Sequence, residues 1–449
     1  MSKYFGTDGF RGEAGKELTA LHAFKTGRYL GYYLKKKKKC PRVAIGKDTR
    51  LSSYMLEYSI AAGLSASGVD VFLLHVTTTP SVSYITVSDG FDAGVMITAS
   101  HNPYYDNGIK IIDSEGKKLG EELTDEIEEY IDARTDDIPM VRGEDIGKIH
   151  DYYSGRNRYV GYLISLVSNS YKGMKVGLDC ANGAAFAIAR SVFSSVGAEV
   201  HAIGDLPNGL NVNADCGSTH PEALCELVRE KGLDIGFAFD GDADRCIAVD
   251  ADGQLVDGDK ILYLLAQRLD RLGMLHERAV VATVMSNGGL VKALSKRGIR
   301  TVLTQVGDRF VYEKMRKIGA PLGGEQSGHI IVNKYATTGD GILTALLICE
   351  EMCDTEKPLG RLVEDVVLYP QITKSVRVKS KSQAVCDPEL ERVKKLCEDE
   401  LSPSGRLLIR ESGTEPKLRI MAEHEDEALC QKCVNSIIDV LRKRGHLDA

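Results

Sequence analysis

Apolar and polar positions follow an order along the chain that occurs three times. Near Arg42 the apolar run Val-Ala-Ile meets a polar turn, Gly46-Lys47-Asp48-Thr49-Arg50. A stretch with helical spacing follows, and Gly68-Val69-Asp70-Val71-Phe72 reads as a second strand. The succession starts again at Lys175, where Val-Gly-Leu runs into Asp179-Cys180-Ala181-Asn182-Gly183, then a helix, then Gly197-Ala198-Glu199-Val200. A third copy begins at Ala279 with Val-Val-Ala-Thr-Val, passes through Ser286-Asn287-Gly288-Gly289 and a helix, and ends in Gly298-Ile299-Arg300-Thr301-Val302. Strand, turn, helix, glycine, strand is the signature of a βαβ unit, so three related α/β units are expected. After about Tyr369 the texture changes. A strand near 374–378, a helix over 387–401, strands near 406–410 and 417–422 and a closing helix predict a smaller α+β domain. The expected divisions are 1–153, 154–254, 255–368 and 369–449, with linkers near 136–147, 250–258 and 369. The loop over 204–221, rich in Gly, Asn, Asp and Pro, is long enough to suggest a function.

Length agrees with this division, because 449 residues are too many for one hydrophobic core. The balance of 43% hydrophobic and 27% charged residues, with a net charge of −7, is that of a globular protein. The longest apolar stretches, such as 342–349, fall short of a membrane span of about 20 residues. The N-terminus lacks the apolar segment of a signal peptide, and eleven cysteines set mostly in apolar or helical stretches suit reduced, packed thiols; a cytoplasmic protein is expected. Cys430 and Cys433 fall in a helical pattern and read as packing rather than as a zinc or redox pair. The lysine run Lys35 to Lys39 ends a helix, where positive charge complements the helix dipole; without interleaved aromatics it does not predict nucleic-acid binding.

Five short motifs carry chemistry. Thr98-Ala99-Ser100-His101-Asn102-Pro103 follows the apolar run Gly94 to Ile97, the end of a strand where ligand sites of α/β sheets gather. Its hydroxyl beside an imidazole reads either as a nucleophile or as a helix cap in a turn. Asp240-Gly241-Asp242-Ala243-Asp244-Arg245 follows Ile235 to Phe239; alternate residues of an extended segment would aim three carboxylates to one side, which calls for a cation such as Mg²⁺. An EF-hand is excluded, since Arg245 and Ala251 stand where it needs Gly and Glu. Gly323-Gly324-Glu325-Gln326-Ser327-Gly328-His329 offers polar groups suited to sugar hydroxyls. Arg410-Glu411-Ser412-Gly413-Thr414-Glu415-Pro416 reads as a phosphate cradle or as a plain hairpin. Phe5-Gly6-Thr7-Asp8-Gly9-Phe10-Arg11-Gly12 lets backbone approach an anion. No Gly-Lys pair is followed by Ser or Thr, so a Walker A loop is absent, and there is no G-x-S-x-G elbow.

Taken in this order, the five motifs resemble the α-D-phosphohexomutase family over nearly the whole chain. Phe5 to Gly12, Thr98 to Lys110, Gly323 to His329 and Arg410 to Pro416 are most similar to the bacterial branch that acts on glucosamine phosphate, and Val306-Gly307-Asp308-Arg309 and Thr337-Thr338-Gly339-Asp340-Gly341 also match it. The departures are Phe10 where Ile is common and Ala243 in place of a frequent Gly. The resemblance implies an α/β fold of four domains around a central cleft, three similar α/β units with mixed sheets plus a smaller C-terminal α+β domain. It implies that Ser100 carries a phosphoryl group as phosphoserine, and that Mg²⁺ is held by Asp240, Asp242, Asp244 and an oxygen of that phosphoserine. Arg245 would stay near the transferring phosphate. Lys110 matches the family position for proton transfer, with Arg11, His101 and His329 nearby. Glu325 and Ser327 would grip sugar hydroxyls, and Arg410, Ser412, Gly413 and Thr414 the phosphate that is not reacting.

The activity so implied is an isomerase that interconverts glucosamine 6-phosphate and glucosamine 1-phosphate through a 1,6-bisphosphate, feeding UDP-N-acetylglucosamine synthesis. Glucosamine 1,6-bisphosphate, or another hexose 1,6-bisphosphate, would be the activator. The partner is a small-molecule sugar phosphate, with no nucleic acid and no membrane; a kinase or self-phosphorylation is the candidate for priming Ser100, and a homodimer is a candidate assembly. The rival readings are a phosphoglucomutase or phosphomannomutase with the same chemistry, a phosphatase with water as acceptor, and a silent sugar-phosphate binder.

Overall fold

In a computed structural model, which describes residues 3–6, 8–411 and 416–448, each strand–turn–helix–strand copy closes as a parallel strand pair. The first sheet contains β1 (Phe5–Gly6), β2 (Gly9–Glu13), β3 (Arg42–Lys47), β4 (Asp70–Val76), β5 (Ala93–Ile97), β6 (Asp106–Asp113) and β7 (Ile149–Asp151). Its order among the described residues is β1-β2-β6-β5-β3-β4-β7, with β5, β3, β4 and β7 parallel and the other edge antiparallel. β3 and β5 are buried along nearly their whole length because helices cover the sheet's centre. Helices Ala20–Lys37 and Leu51–Ser65 pack so closely that a Cβ on Gly63 would stand 2.2 Å from the Phe24 carbonyl oxygen; only glycine fits there.

The second sheet is built from β8 (Lys175–Asp179), β9 (Glu199–Ile203), β10 (Ile235–Phe239), β11 (Cys246–Asp250) and β12 (Leu255–Val256), in the order β12-β11-β10-β8-β9. β9, β8 and β10 are parallel, and β11 and β12 return antiparallel. The segment over 250–258, expected as a linker, therefore contains a hairpin turn and a strand before helix Gly258–Arg271 begins. The third sheet holds β13 (Ala279–Thr283), β14 (Arg300–Thr304), β15 (Leu322–Gly324) and β16 (Ile330–Val332), ordered β14-β13-β15-β16 with only β16 antiparallel among the described strands. The fourth is an antiparallel sheet, β17-β19-β18, of β17 (Gln371–Arg377), β18 (Arg406–Glu411) and β19 (Lys417–Glu423). Three mixed α/β sheets and a smaller α+β domain match the fold class read from the motifs.

By packing, the chain divides into two compact units: Met1–Met285 with Ile299–Glu364, and Ser286–Gly298 with Asp365–Ala449. Within the second unit, helices Pro388–Leu401 and Glu427–Lys443 cover the fourth sheet around Leu401, Ile420, Cys433 and Ile437. Cys430 and Cys433 are buried there as free thiols, and burial pushes the Cys430 thiol up to about 11, so both serve as apolar packing. Helix Gly288–Lys296, the helix of the third copy, also belongs to this unit. The Asn287 side chain caps it and exchanges hydrogen bonds of 2.9 Å with the Tyr369 backbone, and the Val367 carbonyl lies 2.0 Å from where a Cβ on Gly289 would stand. Among the described residues, no helix is long and apolar enough to cross a membrane.

Candidate active site

The carboxyl ends of β3, β5 and β10 converge in the first unit, and the polar turns that leave them meet there. After β5, Ser100 adopts the left-handed conformation at φ 52° and is fully buried. Its Oγ donates to Asp240 Oδ2 at 2.5 Å, its N–H donates to Thr98 Oγ1 at 2.9 Å, and Thr98 Oγ1 in turn donates to Asp48 Oδ2 at 2.7 Å. The hydroxyl thus points at the acidic motif rather than capping a helix.

The acidic motif is the turn of the β10–β11 hairpin. Its carboxylates converge by a different route from the extended alternation expected, because Ala243 takes φ 55° and folds the segment back on itself. Asp240, Asp242 and Asp244 are all buried, with oxygens that lie within 4.8 Å of one another. Burial, Asp244 and Asp242 together push the Asp240 carboxyl up to about 8. Asp242 Oδ1 is buried without a hydrogen-bond partner among the described residues, and Asp244 Oδ1 faces His329 Nδ1 at 3.6 Å. An unpartnered oxygen in a buried cluster of carboxylates fits a hard divalent cation, so the three residues can hold a metal.

Lys110, from β6, donates to Asp242 Oδ2 at 2.7 Å and Asp244 Oδ2 at 3.1 Å. Burial alone would lower the pKa of this amine, but Asp242 and Asp244 outweigh it and hold it as an ammonium. Thr79, the first residue of helix Thr79–Ser88, donates its hydroxyl to Asp242 Oδ2 and its N–H to the Asp242 carbonyl at 3.0 Å. From Lys110 a ring that alternates carboxylates with nitrogen-bearing side chains runs through Asp244, His329, Asp308, Lys118 and Asp8 and back to Lys110, with steps of 2.6 to 3.6 Å. Lys118 and Asp308, paired at 2.6 Å, line a cavity of about 180 Å³ together with Arg309, Tyr312 and Thr337. Within the ring, Gly339 N–H donates to His329 Nε2 at 3.0 Å, which leaves Nδ1 to carry the proton toward Asp244.

Arg11 and Arg245 complete the positive side, with His101 beside them. Arg11 pairs with Asp8, and the half-buried Arg245 has its Nε 3.9 Å from both Asp240 and Asp244. Burial, followed by the charges of Arg245 and Arg11, lowers the His101 pKa to about 3. In the unphosphorylated enzyme the ring is therefore neutral between pH 5 and 8, and NMR titration of its carbons is expected to show no step in that range. The unfolded chain binds a proton there near pH 6.5. His101 therefore contributes to stability above that pH and loses the contribution as pH falls toward 3. A ring that titrates near 6.5 would show that His101 is neither shielded from water nor faced by the two arginines.

Glu325 and Ser327 lie in the turn between β15 and β16. Glu325 Oε1 accepts the Gly307 N–H at 2.9 Å, Ser327 is exposed, and Gly328 at φ 91° lets Cys246 N–H reach its carbonyl at 3.0 Å. Arg410 sits on β18 in the second unit; Ser412, Gly413 and Thr414 lie outside the described residues. The first unit thus brings together Ser100, His101, Lys110, the three aspartates, Arg245, His329 and Arg11. Sequence reasoning left Asp48, Arg50, Thr79, Lys118 and Asn213 without a role, and named Asp8 and Asp308 only as parts of motifs. The Asp48-x-Arg50 turn had a usable signal: it leaves a buried strand at the same end as the Ser100 turn.

Known proteins share the family and the fold of this chain. Models of phosphoglucomutase/phosphomannomutase alpha/beta/alpha domains I, II and III match residues 2–137, 157–253 and 257–369, and the C-terminal domain model matches 374–440. The phosphoglucosamine mutase of Lachnoclostridium phytofermentans is 54% identical over 449 residues, 100% of both chains. The crystal structure of a phosphoglucomutase/phosphomannomutase family protein from Burkholderia thailandensis matches with a TM-score of 0.81 at 25% identity, covering 99% of this chain and 98% of that one. The N-acetylphosphoglucosamine mutase of Aspergillus fumigatus, solved with GlcNAc-6P and magnesium, shares the fold with a TM-score of 0.71 at 17% identity, covering 99% of this chain and 96% of its own. With four family domains in sequence and a relative more than half identical from end to end, the chain belongs to the α-D-phosphohexomutase family and is a phosphohexomutase, an isomerase.

Proposed function

We propose that the chain interconverts glucosamine 6-phosphate and glucosamine 1-phosphate, with Ser100 as the phosphoryl carrier and Mg²⁺ on the aspartate triad. The observation that carries this reading is the Ser100 hydroxyl, buried, left-handed and 2.5 Å from Asp240 at the edge of the three carboxylates. The substrate follows the names of curated relatives that are 47–54% identical over nearly the whole chain. Magnesium follows from the oxygen-only triad and from the metal named in the Aspergillus fumigatus structure. Once bound, the ion would neutralise charge on the transferring group.

Phosphoryl transfer asks mainly for alignment and charge neutralisation. In the first transfer the bond from Ser100 Oγ to phosphorus breaks as the sugar hydroxyl oxygen bonds to phosphorus. The hydroxyl proton ends on Ser100 Oγ, relayed by Lys110, which we assign as the proton carrier. The bound 1,6-bisphosphate then presents its other phosphate, and the same exchange in reverse restores phosphoserine and releases the isomer. Arg11 and Arg245 add positive charge beside the reacting oxygens, neutral His101 can donate or accept a hydrogen bond, and Glu325 and Ser327 are the assigned contacts to sugar hydroxyls. Arg410, Ser412, Gly413 and Thr414 are the assigned cradle for the second phosphate. The eleven cysteines, none in a disulfide, fit a cytoplasmic setting.

The test compares turnover of glucosamine 6-phosphate with that of glucose and mannose phosphates, with Mg²⁺ and a catalytic hexose 1,6-bisphosphate. The expected result is a preference for the amino sugar of about tenfold or more in kcat/KM, or about 1.4 kcal/mol in transition-state binding. Preference for glucose or mannose phosphate would keep the chemistry and overturn the substrate.

A further inference from the structure

The carbonyl of Ser100 is held from two directions. From the turn after β3, Arg50 donates through Nη2 to the Ser100 carbonyl at 2.9 Å and to the Asn102 carbonyl at 2.8 Å. Its other nitrogens reach the Asp106 carbonyl at 3.0 Å, the Pro103 carbonyl, and Asp48 Oδ2 at 2.8 Å. From the long loop over 204–221, Asn213 Nδ2 donates to the same two carbonyls, to Ser100 at 2.8 Å and Asn102 at 3.1 Å. Asn213 is itself left-handed at φ 56°, 9% exposed, and fixed by its N–H to the Ala181 carbonyl at 2.9 Å. The Ser100 carbonyl also lies 2.5 Å from where a Cβ on Gly241 would stand, so that oxygen is pressed against the turn that carries the aspartates.

We propose that Asn213 is a positioning residue for the phosphoryl carrier: together with Arg50 it pins the Ser100 carbonyl and so keeps the Ser100 hydroxyl aimed at Asp240. This rests on the reading of Ser100 as the phosphoserine of the mutase. A serine at φ 52° sits in a conformation that L-residues rarely adopt, and surrounding contacts must hold it there. Rotation of that peptide toward ordinary φ would swing Oγ off the triad, and a displacement of about 1 Å costs phosphoryl alignment about 10²-fold in rate. The donor comes from the second sheet's loop while the serine comes from the first sheet's, so the contact also fixes one sheet against the other at the reacting oxygen. It gives the 204–221 loop the function that its length suggested.

The variant to make is Asn213→Gly, which accepts φ 56° freely and removes only the amide donor. Expected are a fall in kcat of about 10- to 100-fold, a KM for the sugar monophosphate within about twofold of the parent, and a larger share of phosphoserine lost to water than to sugar. The share lost to water is read from enzyme labelled with ³²P-hexose 1,6-bisphosphate, because a merely structural role would not change it. Should the glycine variant not fold, Asn213→Asp keeps the side-chain size without the donor and is read in the same way. Turnover and partition like the parent's, in an enzyme whose parent takes the label on Ser100, would overturn the positioning role and leave the phosphoserine mechanism standing. A fall in activity that only follows the folded fraction would overturn it in favour of a structural role. A parent that takes no label would overturn the mechanism and this inference together.

Discussion

Ser100→Ala is expected to lower mutase turnover by about 10⁴-fold or more, the scale on which removing a covalent nucleophile acts. The fold should survive the change. The backbone N–H of residue 100 bonds to Thr98, and its carbonyl to Arg50 and Asn213, none of which involves the hydroxyl. Only the 2.5 Å bond to Asp240 and the 3.4 Å contact with His101 Nδ1 disappear. Affinity for the sugar monophosphate should stay within about threefold, because the residues assigned to the sugar are elsewhere. Turnover, label incorporation and calorimetric binding measured on the same preparation decide the matter. Full activity in this variant would remove the phosphoserine and leave direct transfer between sugars as the remaining route.

The second large effect belongs to Asp242→Asn. Asp242 Oδ2 accepts from both Thr79 and Lys110, while Oδ1 is buried without a hydrogen-bond partner among the described residues. Amidation removes one negative charge from the cluster and points an N–H₂ group either at the Lys110 ammonium or into the site assigned to the ion. Expected are a fall in kcat of about 10³-fold and a fall in Mn²⁺ affinity of about 10²-fold or more, the latter read by electron paramagnetic resonance with no sugar present. Undiminished Mn²⁺ binding would move the ion away from the triad, whatever the activity did. Intact Mn²⁺ binding with lost turnover would point instead to the Lys110 contact.

Much of the fold was legible because the buried strands are written as short apolar runs with polar turns at one end. Val43 to Ile45, Ile235 to Phe239 and Ala279 to Thr283 needed no tertiary information to be placed. The pairings of β1, β2 and β6 and the β11–β12 return were not legible, since antiparallel edges depend on turn geometry that a three-residue window does not determine. At the site, residues in motifs with unusual charge, such as Asp240 to Arg245, were visible. Thr79 and Asn213 were not, because a lone hydroxyl or amide has no pattern until the chain brings Asp242 or Ser100 beside it. The route by which the aspartates converge was misread for a related reason: an alanine at φ 55° is invisible to a reading that expects glycine wherever the chain turns left.

Helix Gly288–Lys296 belongs with the C-terminal sheet although Ile299–Glu364 of the other unit separates them in sequence. The polypeptide therefore crosses between the two units three times, at 285/286, 298/299 and 364/365. The smaller unit is for that reason not a cassette. A protein ended at Glu364 would carry an orphan helix whose capping asparagine and close-packed glycine have lost Tyr369 and Val367, and a transplanted tail from 365 onward would arrive without the helix it packs on. Exchange of this unit between relatives, in the laboratory or in evolution, has to move two separate stretches of the gene at once.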